Sequence, residues 1–165
     1  MPLCCTAAGS PTAFPAPNAM PNAQPIQELN QLLASSYTLY LKTHNFHWNV
    51  TGPMFTTLHT LFETQYTELA LAVDEIAERI RTLGAPAPGT YGEFTELSQV
   101  TETQGKPKAE DMIRILVEDS AKIVACAQKV IEKAEASGDQ ASADLAIRRV
   151  DLHQKNAWML RSHLE

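Results

Sequence analysis

The sequence predicts an all-α protein, a four-helix bundle whose second and third helices are joined by a long crossover. Apolar residues recur at spacings of three and four in four segments of roughly 25 to 30 residues, which is the period of an amphipathic helix. No segment alternates polar and apolar residues as a strand would. Helices of this length bury their apolar stripes against one another, so they predict a bundle within the 165-residue chain.

Breakers and caps define the predicted ends of these helices. Gly52-Pro53 ends the first helix, and Gly84 follows the second as a C-terminal glycine. Gly138 ends the third helix, and Asp139 can cap the N-terminus of the fourth. The helices are predicted at residues 26 to about 51, 54–83, 108–136 and 140 to about 163.

The connection between the second and third helices, residues 84–107, is about 24 residues long, far longer than the usual loop between helices. An up-down bundle joins its helices through short loops. A connection of this length can cross the whole bundle, so it predicts a crossover. Within it, residues 93–98 predict a short extra helix of one or two turns.

The first 25 residues differ from the rest of the chain. They hold six of the ten prolines and no Asp, Glu, Lys or Arg, so they can neither form a periodic helix nor bury a core. The sequence therefore predicts a disordered, Pro-rich tail at residues 1–25 and a bundle domain at residues 26–165.

Composition argues against several classes of protein. No apolar run is long enough to span a membrane and no signal-peptide pattern begins the sequence, so a cytoplasmic protein is expected. The net charge of −6 argues against a nucleic-acid-binding surface and suits a protein that attracts cations. The three cysteines fit no disulfide or zinc pattern; we interpret Cys4 and Cys5 as exposed thiols and Cys126 as a small buried residue.

The second predicted helix carries a face that differs from ordinary core. That face bears His59, Glu63, Tyr66, Ala70, Asp74 and Glu78. Imidazoles and carboxylates together are ligands for iron, manganese or zinc. A solvated acidic face is the alternative interpretation. Two observations weigh against it: Asp74 and Glu78 repel each other at i, i+4 unless a cation lies between them, and the small Ala70 and Ala77 suggest the approach of another helix.

Helix geometry determines how such a site can form. His59 and Asp74 are about 22 Å apart along one helix at 1.5 Å per residue, whereas ligands lie roughly 2 Å from a metal. One chain therefore cannot place both residues on one ion. Two antiparallel copies of the helix, related by a two-fold axis near residues 68–69, remove the difficulty. His59 and Glu63 of one chain then face Asp74 and Glu78 of the other, and two identical sites form.

Two further patterns bear on this site. The Glu-x-x-His motif of di-iron sites inside a single bundle is absent from the sequence, which leaves the intersubunit arrangement. His47 precedes His59 by twelve residues across the turn at Gly52-Pro53, so both imidazoles can reach one place. A structural role is the alternative for His47 and the preferred interpretation of His44. Trp48 is interpreted as a packing residue beside the site, with electron donation as the alternative.

Two runs of sequence resemble the signature of the Dps family, the DNA-binding proteins from starved cells. The first is KTHNFHWNVTGPMF at residues 42–55, followed by Leu58-His59. The second is DEIAERI at residues 74–80, followed by Gly84. The His-Trp-Asn motif, the second histidine twelve residues later and the Asp-x-x-x-Glu pair make the match specific, and it extends over residues 26–164.

The resemblance implies a miniferritin: a ferritin-like four-helix bundle that assembles into a hollow homododecamer. It implies ferroxidase sites at the two-fold interfaces, which oxidise Fe(II), preferentially with hydrogen peroxide, and a stored ferric mineral that protects against oxidative damage. Zinc fits the same ligands. Carried over by position, the catalytic and metal-binding residues are His47, His59 and Glu63 of one subunit with Asp74 and Glu78 of its mate.

The resemblance also implies acidic pores on three-fold axes near the start of the last helix. Asp139 and Asp144 fit that place, but Arg148 stands where the family has an acid, and Asp151 is a weaker substitute. Capping of the helix is an alternative role for Asp139.

An architectural DNA-binding protein is the alternative function that the resemblance raises. Family members that bind DNA commonly use a tail that bears Lys or Arg, and residues 1–25 have neither. Because neutralising phosphate needs cations, weak or no DNA binding is expected.

Overall fold

The computed structural model describes residues 24–165, which form five helices and no strand within that range. The helices are α1 Ile26–Asn49, α2 Phe55–Thr82, α3 Tyr91–Leu97, α4 Ala109–Ser137 and α5 Gln140–Arg161. They confirm the predicted all-α bundle with a short extra helix, and each predicted end lies within two residues of the observed one. The predicted tail lies almost entirely outside the described residues, as do Cys4 and Cys5, so its disorder and the domain division stay predictions.

The directions of the helices explain why the chain needs a crossover. Contacts of Ser35 with Cys126 and of Lys42 with Asp119 show that α1 and α4 are antiparallel. α1 and α2 form an antiparallel hairpin, and α4 and α5 form a second one. α2 and α4 therefore run in the same direction. Their connection returns along the bundle and carries α3 against α1.

Local chemistry fixes one end of each of three helices. Thr90 and Glu93 form a capping box at the start of α3, in which each side chain accepts a hydrogen bond from the other residue's backbone N–H. Gly138 closes α4 with a φ of 76°, in the left-handed region that favours glycine. The Asp139 carboxylate then accepts a hydrogen bond from the Ser142 N–H, which confirms the predicted N-cap of α5.

The core lies between the four long helices. Its largest fully buried side chains include Leu29, Phe46, Leu58, Phe62, Ile76, Ile80, Ile113 and Leu116. Cys126 is buried as predicted, and burial raises the pKa of its thiol. Among the residues described, no helix is long and apolar enough to cross a membrane.

A buried polar network joins α2 to α5. The Arg149 guanidinium pairs with the Glu68 carboxylate, and its Nη2 lies 3.3 Å from Nε2 of the buried His153. Burial lowers the pKa of His153 to about 3, and the positive charge of Arg149 adds to the shift. His153 is therefore neutral in the folded protein at neutral pH.

We expect acid to destabilise the fold through His153. The pKa of a histidine side chain is ordinarily 6.5, and that of His153 is about 3 in the folded protein, so between these values the unfolded chain binds a proton that the native state does not. The contribution to stability is complete above pH 6.5 and is lost as the pH falls towards 3, by at most about 1.4 kcal/mol per pH unit. Urea unfolding between neutral pH and about pH 4, at fixed protein concentration, measures the slope.

The matched variant is His153→Gln, whose amide oxygen can still accept a hydrogen bond from Arg149. It should flatten the dependence of stability on pH relative to the wild type. His163→Gln, just beyond the end of α5, should leave that dependence unchanged. An equal slope in wild type and His153→Gln would contradict the assignment.

Candidate metal centre

The structure brings the two predicted histidines together. His47 lies in the last turn of α1 and His59 in the second turn of α2. Gly52 lies in the reversal between these helices with a φ of 98°, which other residues rarely adopt. The two imidazole rings stack with centroids 3.7 Å apart and planes inclined by 21°.

Reciprocal hydrogen bonds hold the two rings. His47 Nδ1 lies 2.8 Å from the His59 carbonyl oxygen, and His59 Nδ1 lies 2.9 Å from the His47 carbonyl oxygen. The His47 carbonyl belongs to the last turn of α1, where the helix supplies no partner for it. Because a carbonyl oxygen only accepts, each Nδ1 must carry the hydrogen.

The tautomer follows from these bonds. In each neutral ring, Nε2 keeps its lone pair and is the nitrogen left to bind a metal. Metal-binding histidines typically donate their other N–H to a carbonyl or carboxylate, which fixes the orientation of the ring. The pair is therefore arranged to offer two nitrogen ligands.

Glu63 lies one turn beyond His59 on α2, and its side chain is exposed. It is the only predicted carboxylate ligand near the histidine pair along the helix. Within residues 24–165 of this single chain, no three or more His, Cys, Asp or Glu side chains converge to hold a metal ion. One chain thus presents part of a ligand set.

Asp74 and Glu78 lie further along the same helix, and both are exposed. α2 is continuous over Phe55–Thr82, so His59 and Asp74 are separated by about 22 Å along its axis. In the part of the chain that the structure describes, neither carboxylate has an ion-pair or hydrogen-bond partner. The two halves of the predicted site therefore stay apart within one subunit.

The surface of α2 between the two halves is apolar in part. Ala70 is exposed, and Leu71 is 72% exposed. An exposed leucine beside a small residue offers apolar area to another helix. The exposed residues Glu63, Ala70, Leu71, Asp74 and Glu78 form an α2 strip that the single subunit leaves uncovered.

Aromatic rings surround the histidine pair. His44 stacks on Tyr66 and lies tilted against Trp48, with ring centroids 4.0 Å from each. Tyr66 also meets the edge of His47 at 5.2 Å. Trp48 is 59% exposed, so its contact with His44 covers only part of the indole. Burial lowers the pKa of His44, and His47 adds to that shift, so a packing role fits His44.

The residues predicted for a pore have partners inside the chain. Asp139 caps α5 and pairs with Arg79. Burial alone would raise the pKa of the Asp139 carboxyl, but hydrogen bonds from Ser142 and the Arg79 charge hold it below its usual value. Asp144 pairs with Arg148, which also contacts Glu75. The cap explains Asp139, and the pore stays a prediction.

Comparison with known proteins identifies the family. The family model for the ferritin-like domain matches residues 26–165. A curated protein of Bacillus anthracis, DNA protection during starvation protein 2, is 40% identical over 143 residues, which cover 87% of this chain and 98% of that protein. This chain belongs to the Dps family.

Solved Dps structures share its fold. A Dps of Staphylococcus aureus superposes with a TM-score of 0.82 at 40% identity, covering 85% of this chain and 94% of that one. A Dps of Vibrio cholerae O1 gives 0.83 at 28% identity, covering 93% and 100%; it is described as a member of a broad superfamily of ferritin-like diiron-carboxylate proteins. The ferritin-like topology predicted for this Dps-family chain is thereby confirmed.

The sequence does not indicate two features of this Dps-family site. It places Tyr66 on the α2 face, but the contacts of Tyr66 with His44 and His47 depend on how α1 packs on α2. The second feature is the exchange of hydrogen bonds between His47 and His59. The only sequence signal for this exchange is the spacing of twelve residues across a turn, because the orientation of carbonyl groups at a helix end cannot be inferred from the residue types.

Proposed function

We propose that this chain is a cytoplasmic ferroxidase and iron-storage subunit. It oxidises Fe(II), with hydrogen peroxide as the preferred oxidant, at sites shared by two subunits, and the ferric product is stored inside a dodecameric cage. The observation that carries the proposal is the His47–His59 pair, whose fixed tautomers leave both Nε2 atoms for a metal. The description of the Vibrio cholerae relative as a diiron-carboxylate protein supports iron as the substrate.

A two-fold dimer completes the site in this proposal. Pairing two α2 strips antiparallel brings the histidine end of each against the Asp74 and Glu78 end of the other. The exposed Leu71 and Ala70 lie between the two ends and supply the apolar contact. The absence of intrachain partners for Asp74 and Glu78, in the part of the chain described, leaves both carboxylates available.

Each residue type has a distinct role in the proposed reaction. The carboxylates of Glu63, Asp74 and Glu78 offset the charge of Fe(II) and stabilise Fe(III) more strongly, which favours oxidation. The neutral imidazoles bind more weakly, so the ferric product can leave for the mineral. Two Fe(II) ions each give one electron to a peroxide molecule, whose oxygen–oxygen bond breaks, and two protons complete two waters. Zinc fits the same ligands and should compete.

We expect His47→Asn and His59→Asn to abolish most of the iron oxidation. Asn can still donate a hydrogen bond to the facing carbonyl through its amide, but it has no counterpart of Nε2. Anaerobic protein is mixed with Fe(II) and then peroxide, and ferric absorbance is followed at a ratio of two Fe(II) per peroxide. Wild-type rates in both variants would contradict the ligand assignment.

The matched control is His163→Asn, which removes an imidazole from the end of α5. It should retain the wild-type rate. Urea unfolding of all three variants shows whether any loss comes from the site or from the fold.

DNA binding is expected to be weak for this family member. The relatives are named for DNA protection, yet the chain has a net charge of −6 and no Lys or Arg in residues 1–25. Binding to phosphates needs cations. Retardation of supercoiled plasmid at low salt, fading as salt is added, would favour the architectural function instead.

A further inference from the structure

All four tyrosines of the sequence lie on one path of ring contacts that starts at the histidine pair. Tyr66 meets His47 at 5.2 Å between ring centroids. Tyr40 follows at 6.2 Å from Tyr66, and Tyr37 at 5.8 Å from Tyr40. Tyr91, on α3, lies 6.5 Å from Tyr37. No step between neighbouring rings on this path exceeds the last of these distances.

The path runs from the proposed site to the surface of the subunit. His47 and Tyr37 are separated by about 15 Å along α1 at 1.5 Å per residue. Tyr37, Tyr40 and Tyr66 are half-buried, whereas Tyr91 is 73% exposed. Burial raises the pKa of the Tyr37 phenol, and the neighbouring Tyr91 at the outer end adds to the shift.

Two of the tyrosines, Tyr37 and Tyr40, lie at the edge of the apolar core rather than within it. Phe46 and Phe62 are fully buried within that core, and their ring centroids are 6.4 Å apart. Phe94 stacks on Tyr37 at 4.6 Å between ring centroids. Packing alone would be served by phenylalanine at each position. A phenol adds a group that can be oxidised and can lose its proton.

We propose that Tyr66, Tyr40, Tyr37 and Tyr91 form a tyrosine relay that supplies an electron to peroxide when only one Fe(II) occupies the site. The inference rests on the proposed function and extends it to the condition in which each site holds one Fe(II) instead of two. A single Fe(II) gives one electron, whereas cleaving peroxide to two waters consumes two. The second electron would otherwise be missing, and a hydroxyl radical would be released.

The reaction balances with Tyr66 as the second donor. Fe(II) and the Tyr66 phenol each give one electron, and the oxygen–oxygen bond of hydrogen peroxide breaks. The phenolic proton and one proton from solvent complete two waters, leaving Fe(III) and a Tyr66 phenoxyl radical. The Tyr66 radical then takes one electron and one proton from Tyr40. Tyr40 in turn takes them from Tyr37, and Tyr37 takes them from Tyr91. Each transfer regenerates the previous phenol.

Electron paramagnetic resonance of rapidly frozen samples tests the relay. The assembled protein is loaded anaerobically with one Fe(II) per site and mixed with one peroxide. A tyrosyl radical is expected in the wild type, and its spectrum should narrow in protein made with ring-deuterated tyrosine. Tyr66→Phe should lose that signal. An undiminished signal in Tyr66→Phe, or a wild-type signal unaffected by the deuterated tyrosine, would overturn the proposal.

A second pair of variants keeps the test decisive if Tyr66→Phe folds poorly. Tyr40→Phe should retain a radical, confined to Tyr66, and should lose spin-trap adducts on Tyr91 detected by mass spectrometry. Trp158→Phe is the matched control, since Trp158 lies on α5 and is 60% exposed, and it should retain both signals. Equal Tyr91 adducts in wild type and Tyr40→Phe would contradict the path.

The failure of the relay can be distinguished from the failure of the proposed function. Ferric absorbance of the wild type with Fe(II) at two per site and peroxide reports the proposed ferroxidase reaction alone. Normal ferric formation without a tyrosyl radical at one Fe(II) per site would overturn only the relay. No ferric formation under either condition would overturn the proposed function.

Discussion

Co-assembly of two inactive variants should restore about one quarter of the wild-type iron oxidation. One variant carries His47→Asn and His59→Asn, and the other carries Asp74→Asn and Glu78→Gln. In a mixed dimer, one shared site combines both sets of changes, and the other has every ligand intact. Random pairing makes about half of the dimers mixed, and half of their sites are active.

The experiment uses co-expressed chains with two different tags, purified in sequence so that only mixed assemblies remain in the sample. Ferric absorbance after peroxide addition, per iron site, is then compared with that of each variant alone. Sites built within one chain would show no restoration. That outcome would contradict the shared site while leaving the histidine pair as a possible ligand set.

A control is needed for the loss of charge on α2. Glu75→Gln removes an exposed carboxylate next to Asp74, but Glu75 faces α5, where it contacts Arg148. It should retain the oxidation rate of the wild type. Loss of activity in Glu75→Gln would mean that the overall negative charge of α2, rather than the two proposed ligands, determines the oxidation rate.

Most of the fold was predictable because its determinants are local in the sequence. The ends of α1 and α4 follow from glycines that adopt positive φ, Gly52 and Gly138. The cap at Asp139 needs only a partner three residues away. The crossover follows from the length of one connection. None of these features needs the identity of a distant partner.

The pairing of charged residues inside the bundle was not predictable in the same way. Asp119 lies on the buried stripe of α4 between Leu116 and Ile123, but nothing nearby in the sequence indicates which charge would pair with it. Its partner Lys42 is 77 residues away and meets it only because α1 and α4 pack antiparallel. Arg149 and Glu68 are a similar case, 81 residues apart. The metal centre divides in the same way into predictable and unpredictable parts. The spacing in the sequence predicted that His47 and His59 meet. Their tautomers could be assigned only once the positions of the backbone carbonyl groups were known.

Replacing Asp119 should destabilise the subunit by about 3 to 5 kcal/mol, the usual cost of leaving a buried charge without its partner. Asp119 is 1% exposed and Lys42 is 7% exposed. In Asp119→Leu, the Lys42 ammonium loses its carboxylate and stays buried. Lys122, which also bonds Asp119 at 2.8 Å, is partly exposed and can turn to solvent. Urea unfolding at neutral pH and fixed protein concentration measures the loss.

Two variants separate the buried charge from the loss of packing. Lys42→Met with Asp119→Leu removes both charges and should recover most of the stability, because apolar replacement of a buried pair is often neutral. Asp111→Asn breaks the exposed pair with Arg114 on the same helix and should cost less than about 1 kcal/mol. A loss in Asp119→Leu no larger than that in Asp111→Asn would contradict the prediction.

The position of this ion pair also predicts what it should leave unchanged. Lys42 lies on α1 ahead of His47 and ties that helix to α4, whereas the hydrogen bonds between His47 and His59 lie wholly within the α1–α2 hairpin. The folded fraction of Asp119→Leu should therefore retain the iron oxidation rate per folded site. A rate that falls together with stability would mean that α4 helps to hold the imidazoles in place, through α1.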